Sequence, residues 1–189
     1  MRKAMRTNKG FSLIEVLVAL LLTTIGVLGM VALQGRSIQY TQDSVQRNTA
    51  ILLSGDLIEI IRAHPKELFN TSPPQFPMNS GLKSSSMFYK EAGSDFIDRE
   101  SCVASPTRIA QTVKELRDCW ADKVEALLPG GAELFDSDTY ICRSSTPGSC
   151  DGQGSMLEIH MAWQVREGAC LDSSNTDDTV CTYTVRVEP

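Results

Sequence analysis

Three residues near the N-terminus are spaced for chemistry on the chain itself: Gly10, Phe11 and Glu15. Scission of the Gly10–Phe11 bond would leave Phe11 with a free amine. Glu15 would then lie one helical turn further on, on the same face. In a low-dielectric setting an amine and a carboxylate attract strongly, while either one alone is very unfavourable. A pair formed between neighbouring chains is satisfied only in an assembly. Glu15 is therefore expected to set axial register as each chain joins.

No other region suggests a reaction. The chain has two histidines, His64 and His160, and no nucleophile–base arrangement, so neither an enzyme nor a catalytic residue is expected. Asp172, Asp177 and Asp178 crowd one loop. Carboxylates in such a loop can hold Ca²⁺, but the spacing matches no EF-hand and reads as a solvated acidic loop. No metal and no cofactor are expected.

Cys102, Cys119, Cys142, Cys150, Cys170 and Cys181 all fall in the C-terminal half, and none forms a CxxC or CxH cluster. Spread cysteines in even number, behind an export signal, read as a disulfide framework made in an oxidising compartment. Cys142–Cys150 would close a short turn, and Cys170–Cys181 the loop between the last two strands. Cys102 and Cys119 remain by elimination. A helix starting at Pro106 would place Cys119 about 20 Å along it, and four residues reach back only about 14 Å. Either the helix starts later or these two have other partners.

The elements that position the N-terminal residues are simple. Arg2, Lys3, Arg6 and Lys9 precede an apolar run, and Val16 to Gly35 carries no charge. Twenty helical residues span roughly 30 Å, the thickness of a bilayer's hydrocarbon core. The basic start places the N-terminus in the cytoplasm and the body outside. Removing those four cations from the 18 basic residues leaves 14 against 23 acidic ones, a net charge of −9. An acidic body argues against nucleic acid as a partner. An ordinary signal peptide, cut near Val27-Leu28-Gly29, would share the basic start and apolar stretch. It has no use for Glu15, because a charge inside a membrane helix costs a few kcal/mol.

The run Lys9-Gly10-Phe11-Ser12-Leu13-Ile14-Glu15-Val16-Leu17 resembles the cleavage junction of type IV pilins and type II secretion pseudopilins. The resemblance implies that a membrane prepilin peptidase cuts after Gly10 and methylates the amine of Phe11. It also implies that Glu15 is the docking carboxylate. Residues 1–10 would be a leader, 11–63 a helix crossing the membrane at about 13–35, and 64–189 a periplasmic head.

No proline interrupts the chain from Phe11 to His64, so the helix is expected to run on as a rod of about 80 Å. Ile38, Val45 and Leu52, flanked by Ile51, Leu57, Ile58 and Ile61, would lie against the head. Gln39, Gln42, Asp43, Gln46 and Arg47 would cover the other side. Pro65 should end the helix at His64. A long loop over 65–105 follows, with a short strand near Met87–Tyr89.

A second helix over about 106–128 would be N-capped by Ser105 with Pro106 at its first position. Ile109, Val113, Leu116, Trp120, Val124 and Leu127 form its apolar stripe, and Pro129-Gly130-Gly131 stops it. Strands are expected around Leu134–Phe135, Thr139–Arg143, Met156–Val165 and Cys181–Val187. They form an antiparallel sheet over about 132–187, with His160 on the solvated face. The fold class is α+β.

The whole chain, not only its N-terminus, is similar to minor pilins of type IV pili. The carrying residues are Ile25–Gln34, Cys119-Trp120 followed by Leu128-Pro129-Gly130, Tyr140-Ile141-Cys142-Arg143, Gly154–Ile159 and the ending Tyr183–Pro189. That resemblance implies other minor pilins, the major pilin and a tip adhesin as partners. The chain would sit in the inner membrane before assembly and in the surface pilus afterwards. A pseudopilin of type II secretion shares the N-terminus, but the six cysteines fit pilins better. A membrane-anchored periplasmic enzyme or binding domain would need a convergent polar pocket, which the sequence does not display.

Overall fold

The computed structural model describes residues 10–70, 81–102, 112–170 and 179–189. The described elements are α1 (Leu13–Ala63), α2 (Pro65–Leu68), α3 (Val113–Leu127), α4 (Gly131–Ser137), β1 (Tyr140–Ser144), β2 (Met156–Gln164) and β3 (Val180–Val187). The fold is α+β, with one antiparallel sheet in the order β1-β2-β3. The chain divides into two compact units, Met1–Gln39 and Tyr40–Pro189, which are described separately.

In the first unit the Ser12 carbonyl accepts the N–H groups of Glu15 (3.0 Å) and Val16 (3.3 Å), which starts α1. From Leu13 to Leu33 the large apolar side chains are exposed on every side. Thr23 and Thr24 return their hydroxyls to the carbonyls of Leu20 (2.9 Å) and Leu21 (2.8 Å), so neither presents an open donor. The most apolar 18-residue window has a mean hydropathy of 2.6, and none of it is buried. A helix apolar all round must find an apolar surrounding, and this one is long and apolar enough to cross a membrane.

In the second unit one face of α1 is buried: Asp43, Ala50, Leu53, Ser54, Leu57 and Ile61. This corrects the expected stripe, because Ile38, Val45 and Leu52 are exposed. At 100° per residue those three lie on roughly the opposite side from Ala50, Leu57 and Ile61. Both rows repeat every seven residues, so period alone did not choose between them. Hydrogen bonding makes the polar members of the buried row acceptable. Trp163 Nε1–H donates to Asp43 Oδ1 at 3.2 Å, and Ser54 Oγ–H donates to the Ala50 carbonyl at 2.7 Å. Trp120 Nε1–H donates to the Leu53 carbonyl at 2.8 Å, tying α3 to the same row.

Pro65 ends the first helix as expected, but the segment expected to be loop from residue 65 begins with a helical turn. α1 ends at Ala63, and Pro65 then opens the single turn α2. Met87–Tyr89 is not a strand; isolated bridges pair Phe69 with Leu82 and Lys90 with Ile141. α3 is N-capped by Thr112, whose side chain accepts from the Glu115 N–H while Glu115 returns to the Thr112 N–H, a full capping box. The expected cap at Ser105 and first position at Pro106 lie outside the described residues. Leu134 and Phe135 belong to α4 rather than to a strand. Gly130, with φ of 67°, turns the chain there, and a Cβ on it would meet the Gln164 Cβ at 2.9 Å. The Phe135 ring then packs 6.2 Å from Trp120 and 6.0 Å from Phe96.

Across the sheet Ile141 faces Ile159, which faces Val185. Ile141, Leu157, Ile159, Met161, Trp163 and Cys181 are buried in the core. Three disulfides staple the head, with Cα separations of 4.7 Å for Cys102–Cys119, 5.4 Å for Cys142–Cys150 and 5.5 Å for Cys170–Cys181. With α3 starting at Val113, Cys119 sits only about 9 Å along the helix. That removes the conflict over Cys102–Cys119.

Candidate functional site

Gly10, Phe11 and Glu15 lie at the start of α1. Phe11 is 83% exposed and Glu15 is exposed. Together with Val16, Ala19, Leu20 and Thr23 they border a groove of about 240 Å³; Gly10 stands outside it. A terminal amine on Phe11 would therefore share a face with the Glu15 carboxylate. A Cβ added to Gly10 would meet nothing within 4 Å. The fold itself does not require glycine there, so any such requirement comes from outside the chain. The basic residues 2, 3, 6 and 9 lie outside the described residues.

The head carries ionic clusters that hold it together. Arg99 binds Asp95 (3.2 Å), Asp122 (2.7 Å) and Glu125 (2.5 Å). Burial alone would lower the Arg99 pKa, but the bonds to Glu125 and Asp122 outweigh it and hold the guanidinium protonated. Arg117 pairs with Asp118 at 2.5 Å and donates to the Met87 carbonyl at 2.9 Å. Burial raises the Asp118 pKa, yet the Glu100 N–H, Arg117 and Lys114 together bring it below the usual carboxylate range. The Cys102 N–H donates to Asp122 Oδ2 at 2.6 Å. These bonds fix the 95–102 segment to α3 around the Cys102–Cys119 bridge.

On the outer face of the sheet Glu158 is fully buried. Its oxygens accept the Gly148 N–H (3.0 Å) and the Tyr140 hydroxyl (3.1 Å), and Arg186 lies 3.4 Å away. Burial and the Glu158 bond push Tyr140 up to about 12. Strand alternation alone would have left Glu158 in solvent; the loop closed by Cys142–Cys150 covers it. His160 is half-buried rather than solvated. Its ring stacks on Tyr140 at 4.6 Å, its Nδ1 is 2.7 Å from Thr184 Oγ1, and burial lowers its pKa. Lys90 is buried, with Nζ 2.7 Å from the Thr139 carbonyl and over the Phe135 ring. Burial pushes it down to about 8, against the opposing pull of Asp136 and Asp95.

Neither Lys90 nor the Arg99 cluster was legible in the sequence, since Thr139, Glu125 and Asp122 lie 23 to 49 residues from the side chains they bind. Among the described residues, no group of three or more His, Cys, Asp or Glu side chains could hold a metal. Asp172, Asp177 and Asp178 lie outside them.

The prokaryotic N-terminal methylation motif matches residues 5–31, which take in Gly10, Phe11 and Glu15. No curated protein and no solved structure matches the chain. The motif is that of the type IV pilin and pseudopilin class, and the long apolar helix with a small disulfide-stapled α+β head is pilin-like. It implies processing by prepilin peptidase and assembly with other pilins.

Proposed function

We propose that this chain is a minor pilin of type IV pili, of the kind known as PilV, and that it acts by assembling rather than by catalysis. Prepilin peptidase cuts it between Gly10 and Phe11 and methylates the Phe11 amine. The mature subunit waits in the inner membrane with its N-terminus cytoplasmic and its head in the periplasm. It then joins other minor pilins in a complex that primes the pilus, meets the major pilin, and presents a tip adhesin for attachment and twitching motility. The observation that carries this reading is the shared face of Phe11 and Glu15 on a helix whose apolar side chains are exposed among the described residues. An amine and a carboxylate so placed can be satisfied by a neighbouring copy of the same arrangement.

N-terminal sequencing of the mature protein tests the first step. N-methylated Phe11 is the expected first residue; a start near Met30 would mean signal-peptidase release and would sink the proposal. Gly10→Trp should leave uncut precursor in the inner membrane. Deletion of the gene separates the pilus from type II secretion: surface pili and twitching should be lost while exoprotein secretion stays normal.

A further inference from the structure

The two edges of the sheet are treated differently. At the β1 edge Ile141 and Lys90 exchange both backbone bonds (2.8 and 2.9 Å), and the Arg143 carbonyl accepts the Gly152 N–H at 3.0 Å. Backbone groups of odd-numbered β1 residues therefore point away from β2. Ile141 faces Ile159, so the Ile159 backbone points to β3 and bonds Val185. By the same alternation, Thr182, Thr184 and Arg186 direct their N–H and C=O groups outward, away from β2. None of these six groups has a described backbone partner.

The side chains along this edge repeat the message. Tyr183, Val185 and Val187 pack against the core but remain only partly buried. Among the described residues, β3 also lacks the usual protections of an edge. It contains no proline or glycine, its register against β2 is unbroken, and its one charge, Arg186, is paired with Glu158.

We propose that the Thr182–Arg186 edge is a docking site for an extended strand of a different pilin-class subunit, which continues the sheet. The incoming strand would hydrogen-bond to Thr182, Thr184 and Arg186. Apolar side chains at its alternate positions would cover Tyr183, Val185 and Val187. A net charge of −9 outside the leader sets two copies of this chain against each other, which favours a partner of another sequence. The inference rests on the reading of the chain as an assembly subunit.

Hydrogen exchange on the full-length mature chain in detergent tests it, alone and co-purified with the other minor pilins expressed beside it. The amides of Thr182, Thr184 and Arg186 should exchange rapidly alone and at least tenfold more slowly in the complex, while the Ile141 amide stays protected in both. Thr184→Pro removes one outward donor. It should keep the three disulfides and a melting temperature close to the parent's, yet recover at least tenfold less complex. Thr184→Val, which keeps the N–H, should assemble normally. The proposal is overturned if these amides are already slow in the isolated chain or stay fast in the complex. It is equally overturned if protection appears only as a concentration-dependent homodimer, or if a folded Thr184→Pro assembles normally. Should Thr184→Pro fail to fold, the exchange rates alone decide. A parent chain that joins no other subunit overturns the functional reading along with this proposal; a complex with an open β3 edge overturns this proposal alone.

Discussion

The first and last parts of α1 are built from similar residues and live by different rules. From Leu13 to Leu33 apolar side chains are exposed all round among the described residues. From Ala50 to Ile61 one face is buried by Trp120, Trp163 and the sheet, and the opposite face is open. The first region is shaped by its surroundings, the second by its own tertiary partners. Substitutions should therefore separate cleanly: head residues alter folding, and N-terminal residues alter assembly. Both tryptophans lie in the head, so their fluorescence during urea unfolding in mild detergent reports the head alone.

The largest effect is expected from Trp120→Ala. It removes the bond to Leu53 and the ring packed between Phe96 and Phe135, and should cost about 3–5 kcal/mol. Trp163 remains to report the transition. An effect below about 1 kcal/mol would show that α1 is not held by α3. Next comes the Cys102→Ser/Cys119→Ser double variant, which opens a 17-residue separation and should cost about 3 kcal/mol. The corresponding change at Cys142 and Cys150, separated by 8 residues, should cost about 2.5 kcal/mol. A reversed order would mean that the carboxylates around Arg99 already hold the 95–102 segment without the bridge.

Lys90 gives a smaller effect that depends on pH. Its folded pKa of about 8 lies below the ordinary 10.5, so between these values the unfolded chain binds more protons than the folded one. Stability should rise with pH across that window, and the cost of the buried charge is fully present below it. Lys90→Met should flatten the rise measured between pH 7.5 and 9.5. The smallest effect on folding belongs to Glu15→Val. Head stability should change by less than about 0.5 kcal/mol, cleavage after Gly10 should continue, and incorporation into pili should collapse. Normal incorporation would remove the register role from Glu15. A destabilised head would break the division between the two regions.

Much of the molecule was legible in order of locality. The shared face of Phe11 and Glu15 could be read because it depends on four residues of helix. The apolar run could be read as a helix because a helix satisfies its own backbone within the segment. Cys142–Cys150 and Cys170–Cys181 close short separations, and the sequence proposed both of these among the three disulfides of the structure. Leu134-Phe135 was misread because two apolar residues carry no period; Gly130 and the aromatic pocket made them helical.

What the sequence alone determined is an apolar helix with a carboxylate near its start and a cysteine-bearing α+β body, all consequences of composition and short-range spacing. What only the tertiary structure decided is which of two sevenfold rows of α1 faces inward. It also decided that Glu158 and Lys90 are buried, and which sheet edge is left open. Each of those depends on partners far away in the chain, and burial has no signature in a sequence until those partners are placed.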